Sequence, residues 1–189
     1  MTKNLRVKSS EYIDETNRIS FKFNGKTYHG FKGDTLASAL LANDVHLVGR
    51  SFKYHRPRGI MTSGSEEPNA IVQVNPGTNR TEPNVRATEV EIYEGLEASS
   101  QNCWPSVEFD IGGINNFLSP FFPAGFYYKT FMWPASFWEK YEFFIRHSAG
   151  LGKSPTSSDP DIYDHRNIHC DVLVAVSYTH LRAHETSRD

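Results

Sequence analysis

The chain has 189 residues, of which 22% are charged and 38% hydrophobic, and a formal net charge of −2. This composition is that of a folded protein, which excludes wholesale disorder, and the even charge balance argues against a general nucleic-acid binder. Two cysteines, Cys103 and Cys170, are too few for a disulfide framework or for a four-ligand zinc or iron–sulfur site. Their scarcity favours a reducing compartment.

The sequence predicts neither a targeting segment nor a membrane span. Residues 1–18 are polar and lack the apolar stretch of a signal peptide. Residues 111–128 carry no charge, but the asparagines and prolines among them argue against a spanning helix. We therefore expect a cytoplasmic protein that does not contact a membrane.

The first predicted elements are a hairpin and a helix. Residues 19–31 alternate apolar and polar side chains on both sides of an Asn-Gly pair, which is typical of a tight β-hairpin. Residues 36–43 then repeat leucine at helical spacing. Either Asp34 or Thr35 is placed to cap the beginning of that helix.

Three later segments predict strands. Residues 45–48 and 70–74 are short and apolar, and residues 88–93 alternate apolar and polar side chains. The order strand, strand, helix, strands predicts an α+β fold of the β-grasp type, in which one helix crosses a mixed sheet. We place this domain at residues 15–97.

Residues 98–152 predict an aromatic-rich connecting segment. Thirteen aromatic residues lie between Phe117 and Phe144, and so much apolar area is costly to leave in water. We therefore expect this segment to be buried against another domain or subunit. An ordinary aromatic core within the chain is the alternative. A helix is predicted over residues 135–148, since proline precedes it and glycines follow it.

The last part of the chain predicts a linker, residues 153–161, and then a buried strand, residues 170–175. Such a strand opens a Rossmann-type FAD/NAD-binding domain, in which a glycine-rich turn follows. Here residues 176–189 follow instead, and most of them match one reading frame of a common transposase sequencing adapter. We expect residues 153–175 to be a linker and the first strand of a truncated domain, and residues 176–189 to be a non-native tail.

Residues 49–59 combine basic and aromatic side chains. This combination suits an anionic planar ligand such as a flavin phosphate, or an acidic partner surface, and a solvated basic loop is the alternative. The candidate cofactor-binding residues are Arg50, Lys53, His55, Arg56 and Arg58. No catalytic or metal-binding residue is assigned, because the remaining candidates are scattered: Asp110, His147, His165, His169 and the His180–His184 pair of the tail.

The stretch after residue 59 lacks the cysteines that a ferredoxin-like domain uses to bind an iron–sulfur cluster. Plant-type ferredoxins hold a 2Fe–2S cluster on a β-grasp fold through C-x4-C-x2-C and a later cysteine. At that spacing this chain has Thr62, Glu67 and Ala70, and Ala87 stands where the fourth ligand is expected. Because none of the four is cysteine, we predict that the domain holds no cluster.

Four motifs resemble the N-terminal part of the α subunits of heterotetrameric sarcosine oxidases, and the resemblance covers about residues 12–175. The motifs are residues 33–43, 48–60, 64–70 and 118–134. The first two also occur in related amine dehydrogenase subunits that keep the cluster cysteines. A 2Fe–2S-type electron-transfer or subunit-interaction module is therefore one alternative, and a stand-alone binding module is another.

The resemblance implies a complex of α, β, γ and δ subunits that oxidatively demethylates sarcosine to glycine. That reaction uses tetrahydrofolate and oxygen and forms 5,10-methylenetetrahydrofolate and hydrogen peroxide. In such a complex the β subunit carries FAD, FMN lies near the α–β interface, and the remainder of the α chain binds NAD and tetrahydrofolate. Since the glycine-rich turn is missing here, we expect this chain to bind neither NAD nor folate, and no cofactor is expected in this part of the α chain. We also expect the chain alone to be inactive, because the amine-oxidising flavin belongs to another subunit.

Overall fold

The computed structural model describes most of the chain up to residue 117 and four shorter stretches beyond it. The described ranges are 5–6, 13–117, 134–142, 151–158, 160–167 and 169–172. The aromatic motif over residues 118–133 and the predicted tail, residues 176–189, lie outside the described residues.

A long hairpin begins the fold and confirms the first prediction. Strand β1, Asp14–Phe23, pairs antiparallel with β2, Lys26–Lys32. Asn24 and Gly25 join them with φ angles of 50° and 76°, the positive values that a two-residue hairpin turn requires. Alternate β1 side chains then face the interior, which is why Phe21 and Phe23 are buried.

Helix α1, Leu36–Ala42, also confirms its prediction. Thr35 is the N-cap, and its side-chain oxygen accepts a hydrogen bond from the backbone N–H of Ser38 at 3.2 Å. The helix packs closely on β2 at Gly30, where an added Cβ would lie 3.1 Å from the Cβ of Ala39. Only glycine permits this approach of the strand to the helix.

The predicted strand over residues 88–93 is wrong. This segment forms a turn and an extended stretch that lies across the start of α1. The N–H of Leu36 donates to the carbonyl of Val90 at 2.7 Å. That of Ala37 donates to the carbonyl of Ala87 at 2.9 Å. The segment therefore satisfies the unpaired donors of a helix terminus instead of joining a sheet, although its alternating pattern is that of a strand.

The predicted strand over residues 45–48 is wrong for a related reason. These residues connect α1 to the short strand β3, Gly49–Arg50. The N–H of Val45 donates to Leu40 at the end of the helix at 2.9 Å, and Val48 is fully buried. Of the backbone N–H groups in this segment, only that of Val48 reaches a strand, by donating to the carbonyl of Arg58 at 3.0 Å, so the apolar character of the segment mainly reflects burial in the core.

The main sheet has five strands in the order β2-β1-β7-β5-β6, and β3 pairs separately with β4, Pro57–Arg58. Strand β5, Ile71–Val74, confirms the strand predicted over residues 70–74. Strands β6, Glu82–Arg86, and β7, Glu97–Ser100, are not predicted, because they are short and rich in polar residues. β7 runs parallel to β1 and antiparallel to β5.

This arrangement is the predicted α+β architecture, a mixed sheet covered by one helix. The core lies between α1 and one face of the sheet. The predicted domain boundary at residue 97 falls on the first residue of β7. Fully buried large side chains of this core come from the hairpin, the helix and the later strands: Phe21, Phe23, Leu36, Leu40, Val72, Ile92 and Leu96.

The chain beyond the sheet is described in pieces. A 3-10 turn, Ile111–Gly113, leads into the short helix α2, Ile114–Phe117. Another 3-10 turn, Ala135–Phe137, continues as helical residues 138–142, which agrees with the beginning of the helix predicted from residue 135. The end of that helix lies outside the described residues.

The predicted linker, residues 153–161, lies against the sheet domain. The N–H of Lys153 donates to Gln73 at 3.1 Å, and the Gln73 amide donates back to the Lys153 carbonyl at 2.9 Å. The first residues of the predicted strand over 170–175, by contrast, are irregular in the part that the structure describes, and Val172 is 78% exposed. Residues 173–175 of the predicted strand lie outside the described residues.

Candidate functional site

The basic hairpin, residues 49–59, contains all five candidate cofactor-binding residues. Strands β3 and β4 pair antiparallel, and the loop between them is closed by its own polar groups. The N–H of Arg56 donates to the Ser51 hydroxyl at 2.9 Å, and the N–H of His55 donates to the Ser51 carbonyl at 3.1 Å. His55 has a φ of 53°, so the tight loop holds this residue in the left-handed region.

Arg50 is turned towards the protein. Its guanidinium donates to the carbonyls of Val107 at 2.8 Å and of Glu108 at 3.1 Å. It also donates to the carbonyl of His55 at 3.1 Å. These bonds join the basic hairpin to the chain that follows the sheet. Because its donors are engaged in this way, Arg50 supports the hairpin and does not present an open cation to a ligand.

His55 is also engaged in a contact inside the protein, with the Asp110 carboxylate. Its Nδ1 lies 2.6 Å from a carboxylate oxygen of Asp110, and the Asp110 side chain is almost fully buried. The other Asp110 oxygen accepts hydrogen bonds from the N–H groups of Trp104 at 3.0 Å and Gly112 at 3.2 Å. An added Cβ on Gly112 would lie 2.3 Å from the His55 ring, so the ring packs directly on glycine backbone. Asp110 looks isolated in the sequence, because its partner is distant along the chain.

Arg56 and Lys53 flank one aromatic ring. The Arg56 guanidinium carbon lies 4.8 Å from the centre of the Tyr54 ring, and Lys53 Nζ lies 5.1 Å from it. Both distances are those of cation–π contacts. Arg56 also donates to the side-chain oxygen of Asn116 at 2.9 Å and remains exposed. These contacts fix the positions of two positive charges at the end of the hairpin.

Arg58, on β4, lines a cleft of about 310 Å³. Phe52, which is 55% exposed, lies on the same cleft, as do the polar side chains of Asn69 and Asn102. The volume is at the lower end of the range for small-molecule pockets. Of the five predicted residues, Arg58 and Arg56 are the exposed cations, whereas Arg50 and His55 are committed to internal contacts.

The four positions predicted from ferredoxin spacing lie together in the structure. The Glu67 carboxylate reaches the backbone of both Thr62 and Ala70. Ala70 in turn accepts a hydrogen bond at 2.9 Å from the N–H of Ala87. The ferredoxin spacing therefore identifies four residues that lie together in the structure, although none of them is a cysteine.

Glu67 is the centre of that site and is 1% exposed. Its Oε2 accepts the N–H groups of Met61 at 2.8 Å and Thr62 at 2.6 Å. Its Oε1 accepts those of Asn69 at 2.8 Å and Ala70 at 3.1 Å. Burial of this carboxylate raises its pKa, but the four backbone donors outweigh burial and lower the pKa to about 2. Glu67 is thus a buried anion at neutral pH, enclosed by the Glu67 loop, residues 60–70.

Neither of the two cysteines belongs to this loop in the sequence. Burial and the nearby Asp110 carboxylate raise the pKa of the Cys103 thiol, which favours the unreactive protonated form, and Cys170 is exposed. His165 and His169 are exposed, and His147 lies outside the described residues. Across the ranges that the structure describes, no three His, Cys, Asp or Glu side chains are grouped to hold a metal ion.

No helix in the described ranges is both long enough and apolar enough to span a lipid bilayer.

The fold agrees with the domain family that the sequence matches. Residues 16–103 match the family described as a 2Fe-2S iron-sulfur cluster binding domain. The fold and this match define the class: the chain contains a ferredoxin-like domain. The match extends from β1 through β7, so it includes the basic hairpin and the Glu67 loop.

Two curated relatives show a more specific similarity. Sarcosine oxidase subunit alpha of Rhizobium meliloti (strain 1021) is 61% identical over 170 residues, which cover 89% of this chain and 17% of that protein. Sarcosine oxidase subunit alpha of Corynebacterium sp. (strain U-96) is 30% identical over 164 residues, which cover 86% of this chain and 12% of that protein. The chain is a homologue of part of the sarcosine oxidase α subunit, which confirms the resemblance carried by its motifs. It spans about a sixth of the first relative's length.

One solved structure is more distantly similar. L-proline dehydrogenase from P. horikoshii superposes with a TM-score of 0.38 at 22% identity, over 49% of this chain and 17% of that one. This likeness is too partial to bear on function.

The residues of the Glu67 loop do not fit the iron–sulfur cluster that the family description names. A 2Fe–2S cluster of this type needs four thiolates. Threonine, glutamate and two alanines stand at the four positions, and the one ionised group among them is fully engaged with backbone N–H donors. The ferredoxin-like fold is present, but the ligand chemistry at its centre is different.

Proposed function

We propose that this chain is part of the α subunit of a sarcosine oxidase complex that contains β, γ and δ subunits and works in the cytoplasm. The complex would oxidise the N-methyl group of sarcosine at a flavin, with tetrahydrofolate and oxygen as co-substrates. Its FAD, FMN, NAD and tetrahydrofolate would be bound by the other subunits and by the rest of the α chain. The observation that carries this proposal is the 61% identity, over 89% of the chain, to a protein named as that subunit.

Within such a complex, the basic hairpin is the surface that we assign to contact with a flavin phosphate or an acidic partner surface. Arg56 and Arg58 are its exposed cations, and Phe52 offers an aromatic face beside Arg58. Arginine forms paired hydrogen bonds with phosphate and carboxylate, and such bonds are strong and directional. Arg50 and His55 would act indirectly, since their contacts hold the hairpin in shape.

A chimeric subunit tests the proposed activity directly. The matching segment of the Rhizobium meliloti α subunit would be replaced by residues 13–158 of this chain and expressed with its partner subunits. We expect an assembled complex with sarcosine-dependent hydrogen peroxide formation close to that of the parent. An assembled, flavin-loaded chimera that forms no peroxide from sarcosine would overturn the proposal.

Charge reversal tests the surface. In the same chimera, Arg56→Glu together with Arg58→Glu is expected to lower flavin content or to release the α subunit on size-exclusion chromatography. The matched control reverses two exposed cations on the first hairpin, Arg18→Glu and Lys32→Glu, at the opposite edge of the sheet from β6. Unchanged flavin content and an intact complex in the first pair would remove the surface assignment, while the activity proposal would stand.

An electron-transfer role is the second candidate. The ferredoxin-like family match favours it. The donor set at residues 62, 67, 70 and 87 contains no thiolate, and this disfavours it. The chain's own residues therefore give better support to a structural and interface role in a flavin enzyme.

A further inference from the structure

We propose that the Glu67 carboxylate takes the place of the iron–sulfur cluster in this ferredoxin-like domain, as a built-in anion around which the Glu67 loop folds. The inference concerns the loop and not the substrate of the complex. It therefore holds or fails independently of the proposed oxidase activity.

The backbone of the Glu67 loop is shaped as an anion site. Four backbone N–H groups, two on each side of Glu67 in the sequence, converge on its two carboxylate oxygens. Converging backbone N–H groups form a concave site for an anion, and such sites hold phosphates and iron–sulfur clusters in other proteins. Backbone donors do not depend on side-chain identity, so the same cradle serves any anion of suitable size.

Glu67 also lies at the position that a cluster ligand occupies in plant-type ferredoxins. A thiolate-ligated 2Fe–2S cluster is an anion, and backbone groups donate hydrogen bonds to its sulfur atoms. Glu67 stands at the second ligand position, and the residues at the first and third positions, Thr62 and Ala70, supply N–H donors to it. One side chain thus provides negative charge at the place where the ligand spacing of plant-type ferredoxins puts a cluster.

The Glu67 loop is also hydrogen-bonded to the end of β6 and to the residues that follow it. Arg86, at the end of β6, donates from Nε to the Glu67 carbonyl at 3.2 Å. The Thr88 hydroxyl donates to the Gly64 carbonyl at 2.7 Å. These bonds connect the loop to the segment that lies across the start of α1. If the loop lost its central anion, we would expect the hydrogen bonds to Arg86 and Thr88 to weaken as well.

The consequence is a ferredoxin-like domain whose folding does not depend on iron or sulfide. A carboxylate with a pKa of about 2 remains ionised throughout the physiological range, so the loop keeps its charge permanently. The same substitution removes the electron carrier, because a carboxylate does not change its oxidation state. The domain would then serve as a fixed surface that carries the basic hairpin.

Chemical rescue tests the proposal. The Glu67→Gly variant of the full chain leaves the cradle without its anion, and formate can occupy it. We expect the Tm of this variant to fall by roughly 10 °C or more. Sodium formate should then raise its Tm by several degrees more than sodium chloride at equal ionic strength.

The controls are the unchanged chain and the Glu66→Gly variant, which removes the exposed neighbouring carboxylate. Formate and chloride should affect both controls equally. Equal effects of the two salts on Glu67→Gly would overturn the proposal. So would a Tm of Glu67→Gly within about 2 °C of that of Glu66→Gly.

A second variant covers the case in which Glu67→Gly does not fold. Glu67→Gln keeps the shape of the side chain but lacks the charge, and we expect it to fold with a lowered Tm. For Glu67→Gly unfolded in chloride, formate should restore the far-ultraviolet circular dichroism of the folded chain. A Glu67→Gln variant as stable as the unchanged chain would show that no anion is needed in the loop.

Discussion

The Glu67 loop and the basic hairpin are neighbours along the chain, but they use charge in opposite ways. In the loop, one carboxylate is 1% exposed, and backbone donors surround it. In the hairpin, Arg56 and Arg58 are exposed, and internal bonds of other residues hold them in place. The buried charge is satisfied entirely by the backbone of its own loop, whereas the two exposed charges face solvent. We therefore expect the buried charge to matter most for stability and the exposed charges to matter most for binding.

The largest effect is expected from removing the buried charge. Glu67→Ala leaves four N–H groups without their acceptor, which should lower the free energy of unfolding by about 3 to 5 kcal/mol. Urea denaturation of the full chain measures this change. The matched Glu66→Ala variant should lie within about 0.5 kcal/mol of the unchanged chain. A small effect at Glu67 would mean that the loop does not depend on its anion.

The charge of Glu67 should also make the stability of the chain depend on pH in the acid range. Because the pKa of Glu67 is lowered from 4.5 to about 2, its ionised form stabilises the folded state above pH 4.5. That contribution, about 3 kcal/mol, is lost as pH falls from 4.5 towards 2. Glu67→Gln should therefore lose less stability than the unchanged chain over this interval in denaturant titrations. Parallel pH profiles for the two chains would contradict this prediction.

An intermediate effect is expected from Arg50, which belongs to the hairpin but acts internally. Arg50→Met keeps much of the side-chain length and removes hydrogen bonds to three carbonyls, so we expect a loss of about 1 to 3 kcal/mol. The exposed Arg18→Met variant is the control, with a change of about 0.5 kcal/mol or less. Equal stability of the two variants would mean that the hydrogen bonds of Arg50 contribute no more to stability than an exposed arginine does.

The smallest effect on stability is expected from the exposed cations. Arg56→Ala and Arg58→Ala together should change the free energy of unfolding of the chain by less than about 1 kcal/mol. The same pair should weaken flavin retention or assembly in the full complex. A large loss of stability in the isolated chain would assign these residues to the fold instead of to recognition.

The sequence predicts those parts of the fold that depend on local rules. The Asn-Gly turn and the leucines of α1 have strong local preferences, so both elements occur where they are expected. Residues 88–93 show the limit of such rules. Their alternation reflects burial on one side, but their backbone satisfies the N-terminus of α1. Pairing partners depend on tertiary structure, which a local pattern does not contain.

The candidate site is predicted only in part for similar reasons. The spacing of the missing cysteines finds Glu67, but a glutamate is normally exposed, and nothing in the sequence indicates its burial. Charge composition finds the five residues of the basic hairpin, but not which of them point inward. The contact of His55 with Asp110 and that of Arg50 with Val107 join segments that are distant along the chain.

The most direct measurement restores the ligands of a cluster. The full chain with Thr62→Cys, Glu67→Cys, Ala70→Cys and Ala87→Cys would be treated with iron and sulfide in parallel with the unchanged chain. If Glu67 occupies the cluster position, the variant should bind roughly two iron atoms per chain and show visible absorption and circular dichroism, and the unchanged chain should not. A folded variant that takes up no iron, or an unchanged chain that does, would contradict the account.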